Sequence, residues 1–211
     1  MALDTYSNLK ASIVEWSHRE DVADKLDDFI ALAEQEMFNN RVEALIVREQ
    51  ETRSTASMTI DSRFVPLPDG FTSMRRLLID DTTTNAIQYP LSYKTPEALG
   101  VSPFSGCPSM FTVTSQLEFN CPADIEYNLS MQYMATPTAL SSSNTTNDIL
   151  TNYPSIYLAG SLWALYRWAK DTESASGAYD DFISAIIGAN QAAREGRYGP
   201  SPVIRNQGYT V

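Results

Sequence analysis

Histidine occurs once in these 211 residues, at His18, which removes the commonest vehicle for proton transfer near neutral pH. It stands in the polar run S-H-R-E-D with nothing beside it to complete a triad, so an exposed residue without a chemical task is expected. Cysteine is almost as scarce. Cys107 and Cys121 are each followed by proline and have no metal-ligand company, which fits a reduced compartment. Cys107 lacks a basic neighbour to make a thiolate, so a half-buried structural thiol is expected there. Neither of the glycine-rich phosphate cradles, G-x-x-x-x-G-K-[ST] or G-x-G-x-x-G, occurs. Asp27 and Asp28 are adjacent and face apart on a helix, and Asp80 with Asp81 reads as a turn pair. The expectation is no catalytic residue, no cofactor and no metal; two carboxylates far apart in the chain but close in space remain open at this level.

Basic residues are also few. Fifteen Lys and Arg face 26 Asp and Glu, a net charge of −11, and the cations are scattered, which argues against a surface built to grip nucleic acid. Solubility is the plain reading of such acidity. No run reaches the ~18 apolar residues of a membrane span, so no membrane partner is expected. The start, M-A-L-D-T-Y-S-N-L-K, has neither the basic nor the apolar region of a signal peptide, so a cytoplasmic product is expected. What is present is 43% hydrophobic residues spread along the chain, enough for one domain with a large insertion or two small ones.

The hydrophobic period divides the chain into four segments. In 1–53, Leu9, Ile13 and Trp16 predict a short helix. Leu26, Ile30, Ala33, Met37, Val42 and Leu45, without Gly or Pro between Asp21 and Glu51, predict a second of up to roughly 30 residues. Its other face carries Asp24, Asp27, Asp28, Glu34, Glu36 and Glu43. In 54–138 the period falls to 2. Ala56, Met58 and Ile60 predict one strand, Met74 to Ile79 a second, and Ala86 to Tyr93 a third at an edge because of Pro90. Met110 to Asn120 reads as a tight hairpin, and Ile125 to Tyr133 alternates without a break. In 139–195 a Thr- and Ser-rich linker precedes the densest apolar run, N-Y-P-S-I-Y-L-A-G-S-L-W-A-L-Y-R-W-A. Pro154 suits a first helical turn capped by Asn152 or Thr151. Trp163, Tyr166 and Trp168 read as interior packing rather than a base-stacking platform, which would come with a basic groove. A loop, D-T-E-S-A-S-G, then leads to a last helix with Tyr179, Phe182, Ile183, Ile186 and Ile187 on one stripe, ending near Glu195. Segment 196–211, with three Gly and two Pro, is expected to leave the helix as an extended tail. The predicted class is α+β: an antiparallel helical bundle from the N- and C-terminal helices, an inserted antiparallel β module and an extended C-terminal tail.

Four stretches in this order carry a family resemblance: D-D-F-I-A-L-A-E-Q-E-M-F-N-N-R from Asp27, L-P-D-G-F-T-S-M-R-R-L from Leu67, G-C-P-S-M-F-T-V from Gly106, and N-D-I-L-T-N-Y-P-S-I-Y-L-A-G-S-L from Asn147. The chain resembles the head-to-tail adaptor proteins of tailed bacteriophages, also called tail tubular or head-completion proteins. That resemblance implies a non-enzymatic homo-oligomeric ring, commonly of twelve subunits, in the virion neck and assembled in the host cytoplasm. The implied partners are the portal protein above, tail nozzle, tube or fibre proteins below, and double-stranded DNA passing through without specific binding.

A ring subunit needs two unlike faces whose contact closes by rotation. Within such a ring the acids Asp24, Asp27, Asp28, Glu34, Glu36 and Glu43 would suit a DNA channel, because an anionic wall repels phosphate and releases no counterions. The tail is the second candidate: about sixteen extended residues reach some 50 Å, with Tyr198, Val203, Ile204 and Tyr209 as anchors and Arg197 and Arg205 to pair with acids on a neighbour or the portal. The loops Thr82 to Asn85 and Gly100 to Gly106 are candidate docking sites for tail or fibre proteins. Two other readings compete. A carbohydrate- or host-binding virion module would leave the helices without a task, and a stopper-type neck protein would be smaller and richer in β structure.

Overall fold

The computed structural model of the chain describes residues 3–81 and 88–198. These divide into two compact units, one of residues up to Glu49 with those from Pro137 onward, the other Gln50–Thr136. The fold is α+β, with helices in the first unit and antiparallel-rich sheets in the second.

In the helical unit, Thr5 caps α1 (Tyr6–Ser17) by accepting from the Asn8 amide, and His18 ends it in the left-handed region at φ 52°. Leu9 and Ile13 are fully buried, but Trp16, expected on their stripe, is 63% exposed. The expected 30-residue helix is shorter: α2 spans Leu26–Asn39. Asn40 turns the backbone extended, and its Oδ1 accepts from the amides of Val42 (2.7 Å) and Glu43 (3.2 Å). This is the competition by which a short polar side chain ends a helix that has neither Gly nor Pro. α3 (Asp148–Asn152) is capped by Asn147, whose Oδ1 accepts from Leu150. α4 (Pro154–Ala169) starts on its proline with Tyr153 at the cap position and no side-chain cap, so neither Asn152 nor Thr151 has the expected role. α5 (Thr172–Tyr198) begins earlier than the sequence pattern implies. The expected loop forms its first turns because Asp171 Oδ1 accepts from the Ser174 amide; the Ser174 side chain first, and this amide second, hold the Asp171 carboxyl below its usual range.

α5 also runs past Gly196 to Tyr198, so Arg197 and Tyr198 end a helix rather than begin a tail. A helical glycine costs only ~1 kcal/mol, and A-A-R-E before it favours the helix. The remaining tail candidates, Val203, Ile204, Arg205 and Tyr209, lie outside the described residues, as does the loop Thr82 to Asn85.

α4 packs against α1, α2, α3 and α5. Ile156, Tyr157, Leu158, Leu162 and Leu165 are buried on it, together with Ile30, Met37, Phe182 and Ile186 from its neighbours. Trp163 stacks on Phe182 with ring centroids 6.5 Å apart. Trp168, expected inside, is 48% exposed. At Gly160 a Cβ would come within 2.9 Å of the Phe182 ring and 3.0 Å of the Ala33 Cβ.

The second unit contains β1 (Glu51–Met58), β2 (Phe64–Pro66), β3 (Phe71–Asp81), β4 (Gln88–Pro90), β5 (Ser92–Tyr93), β6 (Met110–Val113), β7 (Gln116–Phe119) and β8 (Tyr127–Ala135). One sheet has the order β1-β8-β3-β4, the other β2-β7-β6-β5. All pairs are antiparallel except β5 with β6, which is parallel. Along β8, Tyr127, Leu129, Met131 and Tyr133 turn inward, as the alternation predicts. They meet Met58, Leu77, Ile79, Leu117 and Phe119 in one core. The expected hairpin is β6–β7. Ile60 is exposed rather than inward, beyond the end of β1 where Asp61 takes φ 61°. The predicted strand through Pro90 is divided: β4 lies at the edge of one sheet, and β5 joins the other.

Candidate assembly surfaces

The six acids expected on one helix face are dispersed. Asp24 is on a short 3₁₀ turn before α2, and Glu43 lies beyond its end. Asp27 accepts from the Tyr6 hydroxyl (2.6 Å) and pairs with Lys10; the Lys10 and Tyr6 bonds lower its pKa. Glu34 turns inward, where Oε1 accepts from the Leu140 amide (2.8 Å) and the Tyr157 hydroxyl (2.9 Å). Burial pushes the Glu34 carboxyl up, and those two bonds oppose the shift. Asn147 completes this node by donating to Tyr157 Oη (2.8 Å) and the Thr138 carbonyl. Glu36 accepts from Asn40 Nδ2, which also bonds Tyr179 Oη. Glu43 accepts from Asn190 Nδ2, whose amide group also holds Ala44 and Ile46. Only Asp24 and Asp28 of the six are exposed and make no hydrogen bond or ion pair among the described residues.

The three asparagines that organise the unit, Asn40, Asn147 and Asn190, were not singled out by sequence pattern. Their bonds from Asn40 to Tyr179 and from Asn190 to Ile46 span 139 and 144 positions.

One small group of titratable side chains does gather in the β unit, where the Tyr127 hydroxyl donates to Asp124 (2.7 Å) beside Cys107 and Cys121. His18 is exposed at the end of α1. Cys107 is exposed rather than half-buried, while Cys121 is buried, which raises its thiol pKa. Among the described residues no three of His, Cys, Asp and Glu come together as a metal site, and no helix is long and apolar enough to cross a membrane.

Exposed apolar groups are the more prominent surface features. Trp16, Leu32, Val42, Ile46, Trp168 and Ile187 are exposed on the helical unit, and Tyr89, Tyr93, Val101 and Phe104 on the β unit. Phe104, 80% exposed, tops a loop pinned at both ends by Ser102 to the Asn120 carbonyl (2.7 Å) and Gly106 to the Pro122 carbonyl (2.8 Å). Fixed, solvent-facing aromatics of this kind are the usual anchors of protein interfaces.

A family model of SU10 adaptor proteins matches residues 4–205. The chain belongs to the SU10 adaptor protein family. No curated protein matches it. This is a phage head-to-tail adaptor family, so the chain is a structural head-tail connector of a virion. In this SU10 adaptor, the stretches that carry the resemblance hold the fold's polar nodes: Asp27 to Arg41 contains Glu34, Glu36 and Asn40, and Asn147 to Leu162 contains Asn147 and Tyr157.

Proposed function

We propose that the chain is one subunit of a homo-oligomeric ring, twelve by resemblance, that sits below the portal, prolongs the DNA channel and carries the tail nozzle, tube or fibre proteins. What supports this reading is the family match along residues 4–205. The helical unit makes the neighbour contacts of a ring. The loop Gly100 to Gly106, with Phe104 at its tip, serves the tail proteins. Of the six helix-face acids, Asp24 and Asp28, which have no partner among the described residues, are those available to face DNA. Residues beyond α5, with Val203, Ile204, Arg205 and Tyr209, dock on the portal or a neighbour, continuing from Arg197 and Tyr198 at the helix end.

Light scattering and negative-stain imaging of the purified chain, alone and with its portal, test the ring directly. A ring, either free or formed only on portal, is expected; a monomer indifferent to portal would overturn the reading. Truncation after Tyr198 tests the tail: the shortened chain is expected to fold as the full chain does and to lose at least tenfold in portal affinity. Unchanged affinity would remove the tail from the interface.

A further inference from the structure

Two apolar surfaces lie on opposite flanks of α5. On one, a groove of about 440 Å³ is lined by Leu158, Leu162 and Tyr166 of α4, Ala178 and Ala185 of α5, and the exposed Trp16 of α1. On the other, Ile187 stands two residues, ~200° around the helix, from Ala185, and the exposed Val42 and Ile46 lie on the segment that joins α5 on that side. The segment bearing Val42 and Ile46 is tied to α5 one turn beyond Ile187, where Asn190 Oδ1 accepts from the Ile46 amide (2.7 Å) and Nδ2 donates to the Ala44 carbonyl (2.9 Å). The ridge is therefore as firmly placed as the groove.

Their charges are complementary. The groove is bordered by the exposed carboxylate of Asp181. The ridge is bordered by the exposed Arg41 and by Arg194, whose guanidinium is 3.8 Å from Glu43 and 73% exposed. A second groove, between α2 and α4, is lined by Lys25, Asp28, Glu36 and Arg167; seating aliphatic groups there would strip water from four charges.

From this geometry we infer that the ridge Val42, Ile46 and Ile187 of one copy seats in the Trp16–Ala185 groove of the next, with Arg194 facing Asp181. The inference rests on the ring reading and gives it surfaces. Unlike patches on opposite flanks make a heterologous contact, which closes a ring or extends a fibre and does not satisfy itself in a two-fold dimer. Three aliphatic side chains fall far below the ~20–30 residues a side of a standard interface. The contact is thus weak between free copies and fills where the portal holds them side by side at high effective concentration.

The test uses the full-length chain with its portal, counting rings by imaging and mass. Ala185→Arg blocks the groove and Ile187→Asp charges the ridge; each is expected to lower ring yield at least tenfold with wild-type thermal melting. Wild-type ring yield from either variant overturns the inference while leaving the ring reading intact. Absence of rings from the wild-type chain on portal overturns both. Should either variant melt early, the exposed pair decides: Asp181→Arg and Arg194→Asp each lower ring yield and their combination restores it, whereas a combination as poor as the singles overturns the inference.

Discussion

Glu34 shows how an acidic residue can belong to the interior of a strongly acidic chain. Its carboxylate fixes the linker through Leu140 and helix α4 through Tyr157, but burial raises its pKa above the ordinary carboxyl range. A carboxyl whose pKa is raised on folding stabilises the fold most below its unfolded pKa, about 4.3. That contribution is lost as pH rises through the higher folded value. Glu34→Gln keeps an oxygen acceptor for both donors and cannot ionise. Urea midpoints at pH 4, 5, 6 and 7 should therefore show the variant gaining on the wild type as pH rises, equalling or exceeding it at pH 7. A wild type that gains instead would mean that the two hydrogen bonds outweigh desolvation. Sequence alone put Glu34 on one helix face with Asp28, since both read as acids of the same row. What separates them is the approach of Leu140, 106 positions away, and no local pattern carries that information.

Among the elements, β8 was the most legible, because one buried and one open face impose a period of 2 that any reading of the residues recovers. The end of α2 was the least legible: Asn40 turns the chain through its own bonds to Val42 and Glu43, and what anchors Asn40 and the segment after it, Tyr179 and Asn190, lies more than 130 positions away. The split of Ala86 to Tyr93 between two sheets also escaped the pattern: Leu91 bonds the Leu77 carbonyl while its neighbour Ser92 bonds that of Ser109. Helix α4 is legible as the densest apolar run of the chain, yet the reason for Gly160 within it needed the packing. There an added methyl meets the Phe182 ring at 2.9 Å and Ala33 at 3.0 Å, and Phe182 is fully buried and stacked on Trp163, so neither can yield cheaply. Overpacking of ~1–3 kcal/mol should outweigh the ~1 kcal/mol that alanine gains over glycine in a helix. Gly160→Ala is expected to lose about 1 kcal/mol, read from the urea midpoint at unchanged m-value. At Gly177 and Gly188 on α5 an added methyl would have nothing within 4 Å, and alanine there should gain about 0.5–1 kcal/mol. A gain at all three positions would show that α4 can shift away from its neighbours.

For the whole molecule, the net charge of −11 matters through its placement more than its size. Asp27, Glu34, Glu36 and Glu43 have partners within the helical unit, so removing their charge disturbs folding as well as any surface field. Asp24 and Asp28 have none among the described residues, and a change there acts mainly on the field, with a small loss at the helix N-terminus where Asp28 stands. In a channel that DNA crosses, each lost carboxylate is repeated in every subunit, so the double change Asp24→Asn, Asp28→Asn would remove some 24 charges from a ring of twelve. Exposed changes of this kind leave stability within about 0.5 kcal/mol, which thermal melting checks. Particles carrying the double variant should release DNA more slowly, with the difference from wild type shrinking as salt rises from about 50 to 500 mM, because screening erases a repulsion that acts across a few ångströms of water. DNA release timed by dye fluorescence from single particles gives that rate. Equal rates at low salt, with melting unchanged, would place Asp24 and Asp28 on the outside of the ring and leave the channel to be lined by other residues.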